Sequence, residues 1–571
     1  MSTIDWIVLV ATLGCIIIYG IYKSRSSRNL EGYFLSNREM PWYLVLLSIM
    51  GTQASAITFL SAPGQAYTDG MRFVQYYFGL PLAMVVLCIT FLPIFHRLKV
   101  YTAYEFLEKR FDLKTRTFTS SLFLLSRGLS TGISVYAPSI ILSSLLGWNI
   151  YWTNIIMGGL LIIYTVTGGA RAVAYTQQLQ LGIVFTGMFL AGYTVVKLLP
   201  EGIGFADALS ISGKMGKLNV ITTGQTEKGF DWSDRYNIFS GVIGGFFLAL
   251  SYFGTDQSQV GRYLTAKSIR ESRMGLLMNG LVKVPMQFFI LLIGALVFSF
   301  YQFNAAPLFF NKVPLEKVRE TTYRDSLKNV EGRHQVLIEK KKQTVSQLPA
   351  LLATEGEADE NIVLEKLKGI QKEEEGLRSE VKKIIVDSKA KTESSDTNYI
   401  FLRFVVDYLP VGLVGLLIAV IFLAAWGSIA AALNSLASAT MIDFHKKFFK
   451  SELTDEQDFR ISRLYTLFWG VFCIVVAEFA TGMGSLIEAV NVLGSWFYGV
   501  MLGIFLVAFY LKRVGGNAVF WAALAGEVIV ISMYRITDIG WLWLNAIGAI
   551  AVVILAVLLQ LIVFRNGKPV S

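Results

Sequence analysis

The sequence predicts an all-α polytopic membrane protein with about 13 transmembrane helices and a 5+5 inverted-repeat core that contains two broken helices. Composition is the first observation behind this prediction. Of the 571 residues, 54% are hydrophobic and only 16% are charged, whereas soluble globular chains carry about 25% charged residues. The other two observations are the uneven distribution of basic residues between loops and the polar interruptions inside two apolar segments.

Thirteen apolar segments are predicted to cross the membrane. A transmembrane helix needs about 20 predominantly apolar residues to cross roughly 30 Å of hydrocarbon. The first segment is followed by basic residues rather than by a small-residue cleavage site, which favours a retained helix over a signal peptide. The predicted spans are centred near residues 3–22, 43–67, 73–95, 118–146, 150–168, 173–197, 236–258, 272–302, 405–443, 461–480, 484–511, 516–534 and 541–564.

Basic residues concentrate in alternate loops, which predicts the orientation of the chain. Loops such as 96–117, 259–271 and 444–460 contain most of the short-loop Lys and Arg, whereas the loops between them contain only Arg72 and Arg535. The positive-inside rule places the basic loops in the cytoplasm, with the N-terminus outside the inner or plasma membrane and the C-terminus inside. The net charge of +10 is then mostly a topology signal and does not indicate nucleic-acid binding.

Residues 311–397 interrupt the apolar pattern with a polar, charged segment. Within it, Leu364, Leu367 and Ile370 recur at helical spacing, and the stretch ATEGEADE is typical of a turn. The segment therefore predicts two amphipathic helices that form a hairpin outside the membrane. It is either a solvated insertion or a docking arm for a partner protein.

These segments divide the chain into four parts. Residues 1–42 form an extra N-terminal transmembrane helix and a cytoplasmic loop, and residues 43–197 form the first five-helix repeat. Residues 236–511 form the second repeat, which the charged insertion interrupts, and residues 512–571 form two C-terminal transmembrane helices and a short cytoplasmic tail.

Two apolar segments contain polar residues and helix breakers at corresponding places. The stretch MGTQASAITFLSAPG, residues 50–64, places hydroxyls, an amide, proline and glycine inside the second span. Residues 237–259 combine three glycines with the polar end SYFGTDQSQ. Because lipid cannot hydrate a backbone, such a break persists only where it lines a protein cavity. The two segments are five spans apart, as an inverted repeat requires, and paired broken helices mark the binding sites of secondary transporters.

The ninth span places small residues on one face of a helix. Ala424, Gly427 and Ser428 lie at i, i+3 and i+4. This spacing suits the close packing of another helix. It also suits a cation site, because a sodium ion prefers oxygen ligands and a facing broken helix frees backbone carbonyls. The residues alone leave both interpretations open.

Seven short motifs occur in order along the chain, and together they resemble the sodium/solute symporter family. This family includes the sodium–glucose, iodide, monocarboxylate and sialic-acid symporters, and the resemblance covers almost the whole chain. It implies a broken-helix, inverted-repeat fold that works by alternating access. The motifs are YFLSNREMPW (33–42), SAITFLSAPGQAY (55–67), YTAYEFLEKRF (101–111), SVYAPSIIL (134–142), YTVTGGARAVAYTQQLQ (164–180), DQSQVGRYLTAKS (256–268) and AAALNSLAS (430–438).

The resemblance implies a sodium site between the first broken helix and the ninth span. The matching positions on the broken helix are Gly51 and Ala54, and those on the ninth span are Ala424, Gly427 and Ser428. Relatives often have two adjacent serines where this chain has Gly427 and Ser428, so one hydroxyl is missing here. The backbone-carbonyl ligands survive this substitution, and the resemblance leaves open a weaker site or one that a water molecule completes.

A second sodium ion, which some relatives bind, is not expected here. Those relatives hold it with the Asp of a Trp-Thr-Asp motif and with two further serines. This chain has Tyr175, Thr176 and Gln177 at the motif, and Ala430 and Ala431 at the serine positions. The resemblance therefore predicts one sodium ion per transport cycle.

Five residues are predicted substrate contacts: Gln53, Ser55, Thr58, Gln75 and Arg127. Ser55 and Thr58 match substrate-contacting positions of the sialic-acid branch. Arg127 lies about 13 Å into the fourth span at a rise of 1.5 Å per residue, and a charge at such a depth is a functional-site hypothesis by default. Its guanidinium suits a substrate carboxylate. The alternatives are a structural pair with Asp256 or a carbonyl, and a side chain that extends to the inner membrane surface.

Asp256 and Gln257 directly follow the second break. Their predicted role is coupling or gating, with capping of a helix end as the alternative.

The predicted function is sodium-coupled symport of a small organic solute, either an organic anion such as a sialic acid or a monocarboxylate, or a sugar. Sodium is the predicted coupling ion, and the solute and the lipid bilayer are the predicted partners. A proton-coupled carrier, with Asp256 as the titrating group, or an uncoupled carrier is the alternative on the same fold. The sequence contains no nucleophile–base constellation typical of an enzyme and no charged ring or carbonyl filter typical of a channel.

Overall fold

The structure is a computed structural model that describes residues 1–24, 35–353, 357–388, 395–449, 454–480 and 483–564. By length and composition, 10 helices in the described part could cross a membrane, or 11 when one bent pair is counted as a single span. The predicted helical, multi-span architecture is therefore confirmed, whereas the count of thirteen and the inverted repeat stay predictions. Most of the predicted cytoplasmic loop at 23–41 and the C-terminal tail from residue 565 lie outside the described residues.

Helices occupy most of the chain before residue 236. A small antiparallel pair of strands, β1 (Gln225–Thr226) and β2 (Gly229–Phe230), lies near the end of this part. The α-helices are α1 (Thr3–Ser24), α2 (Trp42–Gln53), α3 (Ala56–Asp69), α4 (Leu80–Ile89), α5 (Phe91–Leu98), α6 (Glu105–Arg110), α7 (Leu113–Leu146), α8 (Ile150–Lys197) and α9 (Phe205–Lys214), with 3-10 turns at Ser36–Arg38 and Met71–Tyr77.

The second part of the chain is also helical, and its most buried membrane-length helix is α18. The α-helices are α10 (Gly245–Thr255), α11 (Gln257–Tyr263), α12 (Ile269–Phe303), α13 (Lys312–Arg319), α14 (Arg324–Val345), α15 (Leu348–Ala353), α16 (Glu357–Asp387), α17 (Thr397–Tyr408), α18 (Leu413–Ala439), α19 (Asp455–Glu478), α20 (Leu486–Tyr510), α21 (Gly516–Ile536) and α22 (Trp541–Ile562), with π-helical turns at Ser240–Gly244 and Thr440–Phe449.

The predicted break in residues 50–64 is present between α2 and α3. The two helices meet at an angle of 61°, and only Ala54 and Ser55 separate them. Ala54 has φ −78° and ψ 74°, and Ser55 is extended, so neither continues the helix. This broken helix packs against α8, α12 and α18, near the centre of the bundle.

The second segment is interrupted at Asp256, between α10 and α11. Asp256 has φ −78° and ψ 115°, and its side chain accepts a hydrogen bond from the Ser258 N–H at the start of α11. A π-helical turn precedes α10, and its Gly241 lies against the Gln75 backbone so closely that a Cβ there would collide with the Gln75 carbonyl. The glycines of this segment therefore serve close packing, and the polar end SYFGTDQSQ contains the interruption.

Helix α18 begins later than the predicted ninth span. The sequence predicts one long helix, but α17 ends at Tyr408 and α18 begins at Leu413. Pro410 cannot continue the helical hydrogen-bond pattern, and Gly412 has φ 89°, a conformation that is costly for residues with a side chain. Asp5 of α1 accepts a hydrogen bond of 2.7 Å from the Gly412 N–H and so helps to fix this start.

Helix α8 runs through the predicted loop at residues 169–172. Its backbone is helical over 48 residues, where the sequence predicts two spans. The stretch TGGARAVA at residues 167–174 contains no proline, and a glycine in a helix costs only about 1 kcal/mol relative to alanine. Local backbone chemistry therefore does not end the helix at this point.

The charged insertion forms α13 to α16, and its two long helices, α14 and α16, pack side by side. Leu364, Leu367 and Ile370 are buried in this packing. The buried ion pair between Lys341 and Glu374, at 3.2 Å, joins the two helices. Residues 354–356 of the predicted turn lie outside the described residues, and the side of the membrane on which the hairpin lies stays a prediction.

Candidate ion and solute site

The break between α2 and α3 removes the helical donors from two carbonyls. In an uninterrupted helix, the Gly51 carbonyl would accept a hydrogen bond from the Ser55 N–H, and the Ala54 carbonyl would accept one four residues further on. Instead, the Ser55 N–H donates to the Gln53 carbonyl at 2.9 Å, and the Thr58 N–H donates to the Ser55 carbonyl at 3.0 Å. The two predicted sodium ligands of this helix therefore retain lone pairs that a cation can use.

The predicted ligands on α18 are buried in the middle of the helix. Ser428 Oγ donates to the carbonyls of Ala424 and Ala425 at 2.9 and 3.1 Å, in the turn before it. Because a hydroxyl also has two acceptor lone pairs, this arrangement leaves the Ser428 oxygen able to bind a cation. Gly427, the neighbouring predicted ligand, offers only its backbone.

Gln177 of α8 brings these two elements together. It is fully buried, and its Nε2 donates to the Gly427 carbonyl of α18 at 3.1 Å. Its Oε1 accepts from Ser48 Oγ of α2 at 3.1 Å. A Cβ on Gly51 would lie 2.9 Å from the Gln177 side chain, so α2 packs directly on it. The predicted ligands of α2 and α18 thus lie on either side of a single glutamine.

A cavity of about 130 Å³ lies beside this junction. Five predicted site residues line it together: Gln53, Ser55, Thr58, Arg127 and Ser428. The Gln53 amide is tied to α12 by a hydrogen bond of 3.2 Å from its Nε2 to Asn279 Oδ1. The cavity therefore brings Ser428, one of the candidate ion ligands, together with four of the five candidate substrate contacts.

Arg127 lines the cavity and also approaches Asp256. The distance between Arg127 Nη1 and Asp256 Oδ2 is 3.9 Å, which is long for a charge-assisted hydrogen bond. Arg127 Nε has no hydrogen-bond partner within the described residues, and the guanidinium lies 5.7 Å from the ring centre of Tyr252. Arg127 therefore lines the cavity and lies near Asp256, and its role as a substrate contact stays a prediction.

Asp256 caps the helix that follows it. Its Oδ1 accepts from the Ser258 N–H and hydroxyl, at 2.8 and 2.6 Å, and its Oδ2 accepts from the Tyr498 hydroxyl at 3.2 Å. The capping alternative is therefore present in the structure. Tyr498 lines the cavity, so Asp256 also reaches the cavity indirectly.

Gln75 and Gln257 do not lie among the described residues that line the cavity. The Gln75 amide donates to Thr222 Oγ1 at 3.0 Å and to the Tyr236 carbonyl at 3.1 Å, so its hydrogen-bonding capacity holds a loop in place. The substrate contact of Gln75 stays a prediction beside this structural role. Gln257 Nε2 donates to the Tyr101 carbonyl at 2.8 Å, which joins α11 to the predicted cytoplasmic loop.

The cavity is also lined by residues that the sequence analysis did not predict. Lys283 of α12 is only 1% exposed and lines the cavity, and its Nζ lies 5.4 Å from the ring centre of Tyr77. It forms no ion pair within the described part of the chain. The sequence could have indicated Lys283, because a lone lysine in the apolar stretch LVKVPMQFF is a functional-site candidate. Tyr76 also lines the cavity and donates to Asn491 Oδ1 at 3.1 Å, but an aromatic residue in an apolar span usually indicates only packing.

A bundle of membrane-length helices in which a broken helix lines a buried polar cavity is the architecture of a secondary transporter. The sequence model of the sodium:solute symporter family matches residues 33–322 and 379–526. The chain belongs to this family. The unmatched interval between the two parts falls within the charged insertion.

Two bacterial relatives are similar over nearly the whole chain. The sodium/sialic acid symporter NanT of Aliivibrio fischeri is 25% identical over 562 residues, 98% of this chain and 93% of that protein. The sodium/sialic acid symporter SiaT of Proteus mirabilis is 25% identical over 563 residues, 96% of this chain and 93% of that protein. A solved structure of a Na⁺-coupled sialic acid symporter, substrate-bound and outward-open, has a TM-score of 0.75 at 23% identity and covers 98% of both chains. This likeness shows that the two folds agree.

Proposed function

We propose that the protein is a sodium-coupled symporter that carries a small organic solute across a cell membrane by alternating access, with one sodium ion per cycle. The observation that carries this proposal is the pair of carbonyls, Gly51 and Ala54, that lose their helical donors at the junction with Ser428. Uncharged oxygens of this kind suit a hard monovalent cation. Membership of the sodium:solute symporter family supports the same coupling ion.

The proposed solute is an organic anion that carries a carboxylate. Arg127 lines the cavity, and no described residue accepts a hydrogen bond from its Nε. A guanidinium binds a carboxylate through two parallel hydrogen bonds. Lys283 lines the same cavity, so its described walls contain two basic side chains and no carboxylate. This charge balance favours an anion over a neutral sugar. The similarity to NanT and SiaT supports the same class of solute.

Coupling would follow from where the ion binds. A ligand shifts a conformational equilibrium only by its differential affinity for the two states. A sodium ion held between the α2–α3 break and α18 would favour the state in which these elements are close, and Ser55 and Thr58 lie on the same break. Sodium binding would therefore prepare the cavity for the solute. Gln177, a neutral amide where relatives have a carboxylate, supports one ion rather than two.

The proposed membrane topology is that of a multi-pass inner or plasma membrane protein. The N-terminus would lie outside, the C-terminus in the cytoplasm, and the charged insertion at 311–397 outside. The two helix interruptions, at Ala54–Ser55 and Asp256, would occupy equivalent places in a 5+5 inverted repeat. The distribution of basic residues between loops supports this orientation.

A proton-coupled carrier is the second candidate, because Asp256 is a buried carboxylate that reaches the cavity through Tyr498. Uptake into proteoliposomes separates the two. Labelled sialic acids, monocarboxylates and sugars would be tested with an inward sodium gradient, with choline in its place, and with a pH gradient. We expect uptake of an anion that requires sodium. Uptake that ignores sodium and follows the pH gradient would instead establish the proton-coupled carrier.

Ser428→Ala tests the ion site in the same assay. The loss of one oxygen ligand, worth about 1–2 kcal/mol, should raise the sodium concentration for half-maximal uptake about tenfold. Ser435→Ala is a matched control, because Ser435 lies on the same helix, is buried, and also donates to a carbonyl of the turn before it, at 2.9 Å. Equal sodium dependence in the two variants would contradict the assignment of Ser428.

A further inference from the structure

A side chain of α8 fills the space beside Gly427. Gly427 lacks the hydroxyl that a serine would supply, and a Cβ built at this position would collide with the Gln180 Oε1 atom. The Gln180 amide oxygen therefore occupies the space into which a side chain at position 427 would project. Gln180 is 3% exposed, and its Nε2 has no hydrogen-bond partner within the described residues. An amide that served only to join helices would be expected to use its donor.

Gln177 fixes the helix face from which Gln180 projects. The two residues are three positions apart in α8 and so share one face. Gln177 is hydrogen-bonded to the Gly427 carbonyl of α18 and to Ser48 of α2, each at 3.1 Å. This contact holds the Gln180 oxygen against the turn of α18 that contains Gly427 and Ser428. The oxygen is therefore positioned at the junction where the sodium ligands are proposed.

We propose that Gln180 Oε1 is a sodium ligand that takes the place of the hydroxyl missing at Gly427. This inference rests on the proposed sodium coupling. A hard cation accepts amide oxygens as well as hydroxyls and backbone carbonyls. The Gln180 side chain also interacts with Tyr164, and its amide oxygen has two lone pairs with which it can bind an ion. An oxygen from α8 thus supplies the ligand that position 427 of α18 lacks.

A third element then takes part in ion binding. With ligands on the broken helix and α18 alone, the ion would join two elements. With Gln180 as a ligand, it also joins α8, and release of sodium would leave the Gln177 hydrogen bonds as the contact that joins the three elements there. Gln180 would therefore affect sodium affinity directly, in a position where no carboxylate adds charge to the site.

Binding of ²²Na⁺ to the purified full-length protein tests this inference without a transport assay. Gln180→Leu keeps an apolar side chain of comparable volume but removes the oxygen, and we expect about a tenfold weaker sodium affinity, as for the loss of one polar contact of about 1.4 kcal/mol. Gln180→Glu keeps an oxygen at the same reach and should retain binding. Gln287→Leu is the matched control, because Gln287 is a fully buried glutamine of α12 that does not line the cavity; its affinity should equal that of the wild type.

A residue exchange gives a second, independent readout. Gly427→Ser alone should lose sodium binding, because the new Cβ would collide with Gln180 Oε1. The double variant Gly427→Ser/Gln180→Ala should regain it, since the hydroxyl returns and the crowding is removed. This pair decides the question even where Gln180→Leu does not fold.

The outcomes distinguish this inference from the proposed function. Wild-type affinity in Gln180→Leu, or no recovery in the double variant, would overturn the ligand role of Gln180 while sodium coupling stands. A wild-type protein that binds no ²²Na⁺ would overturn both. Weakened binding in Gln287→Leu as well as Gln180→Leu would mean that loss of any buried amide has this effect, and would also overturn the assignment.

Discussion

Arg127 holds its neighbouring acid only loosely, at 3.9 Å from Asp256, and its Nε has no hydrogen-bond partner among the residues that the structure describes. A solute carboxylate can therefore bind this guanidinium without displacing a strong ion pair. We predict that Arg127→Lys raises the solute KM about 10–100-fold, because lysine cannot make the bidentate contact, which is worth roughly 1.5–3 kcal/mol. The sodium concentration for half-maximal uptake should stay at its wild-type value. Initial rates of uptake into proteoliposomes measure both quantities.

Arg72→Lys is the control for this substitution. Arg72 pairs with Asp69 and Asp234 at 3.2 and 3.0 Å and does not line the cavity. If both lysine variants raised the solute KM equally, the effect would not come from a cavity-facing guanidinium.

Single residues differ in how far sequence could predict them. Arg127 and Ser428 stood out, one as a charge deep in an apolar span and the other through its spacing, and both line the cavity. Gln75 had the right chemistry, but only the tertiary structure shows that its amide is satisfied by a loop some 150 residues away in sequence. Gln180 gave no signal, because its meaning depends on the missing side chain of Gly427 on another helix.

Helix α2 packs closely on α8 at Gly51. Gly51 packs so closely on Gln177 that a Cβ would lie 2.9 Å from its side chain, which is too short for real atoms to keep. Gly51→Ala should therefore push α2 away from α8 and weaken sodium binding about tenfold or more, the effect of misplacing one or two ligands. Gly182→Ala, on α8, is the control, since a Cβ there meets nothing within 4 Å. Binding of ²²Na⁺ compares the two; equal affinity would mean that the close approach is not needed.

The charged insertion is tied to the broken helix through several contacts. Arg378 of α16 forms a buried pair with Asp396 at 2.7 Å, and Asp396 also accepts from the Phe310 N–H at 2.9 Å. The next residue, Thr397, lies against Gly64 of α3 so closely that a Cβ on Gly64 would collide with its carbonyl. The hairpin therefore packs on the same element that carries the candidate ion ligands.

His334 makes the stability of this hairpin depend on pH. Burial lowers the pKa of His334 from its ordinary value, and the charges of Arg378 and Lys341 act in the same direction while Glu374 opposes it. Because the folded pKa lies below the unfolded one, the unfolded state takes up a proton first as the pH falls through about 6.5. Hydrogen exchange in α14 and α16 should therefore be faster at pH 5.5 than at pH 7.5, beyond the change in intrinsic exchange. His334→Leu should remove this additional exchange at pH 5.5. If the additional exchange persists in the variant, another titrating group causes it.

Interruptions of helices were easier to predict than their continuity. The break at Ala54–Ser55 and the one at Asp256 lie within polar stretches that contrast with apolar surroundings. The turn at Pro410 and Gly412 carried its own signals, but continuous hydrophobicity on both sides outweighed them in the interpretation. In α8 the reverse happened, because TGGARAVA resembles a loop, yet its backbone can remain helical.

The number of sodium ions per cycle decides whether the membrane potential contributes to transport in addition to the sodium gradient. Ala430 and Ala431 are buried and pack on Tyr164, and Gln177 hydrogen-bonds to α2 and α18, so these three positions offer no carboxylate or hydroxyl for a second ion. One sodium ion and one monovalent anion carry no net charge across the membrane. The membrane potential, worth about 2.3 kcal/mol per charge at 100 mV, then contributes nothing to the transport of such a solute.

We therefore predict electroneutral, one-to-one uptake of a monocarboxylate solute. A tenfold sodium gradient supplies about 1.4 kcal/mol per ion, so accumulation should stop near tenfold and should not change when a potassium diffusion potential is imposed on the proteoliposomes. Two sodium ions would instead move one net charge, and at 100 mV that charge alone would add roughly 50-fold. The sodium dependence of uptake should also have a Hill coefficient of about 1, since a single site cannot bind cooperatively. Accumulation that responds to the imposed potential, together with a Hill coefficient near 2, would restore a second ion and require ligands other than Ala430, Ala431 and Gln177.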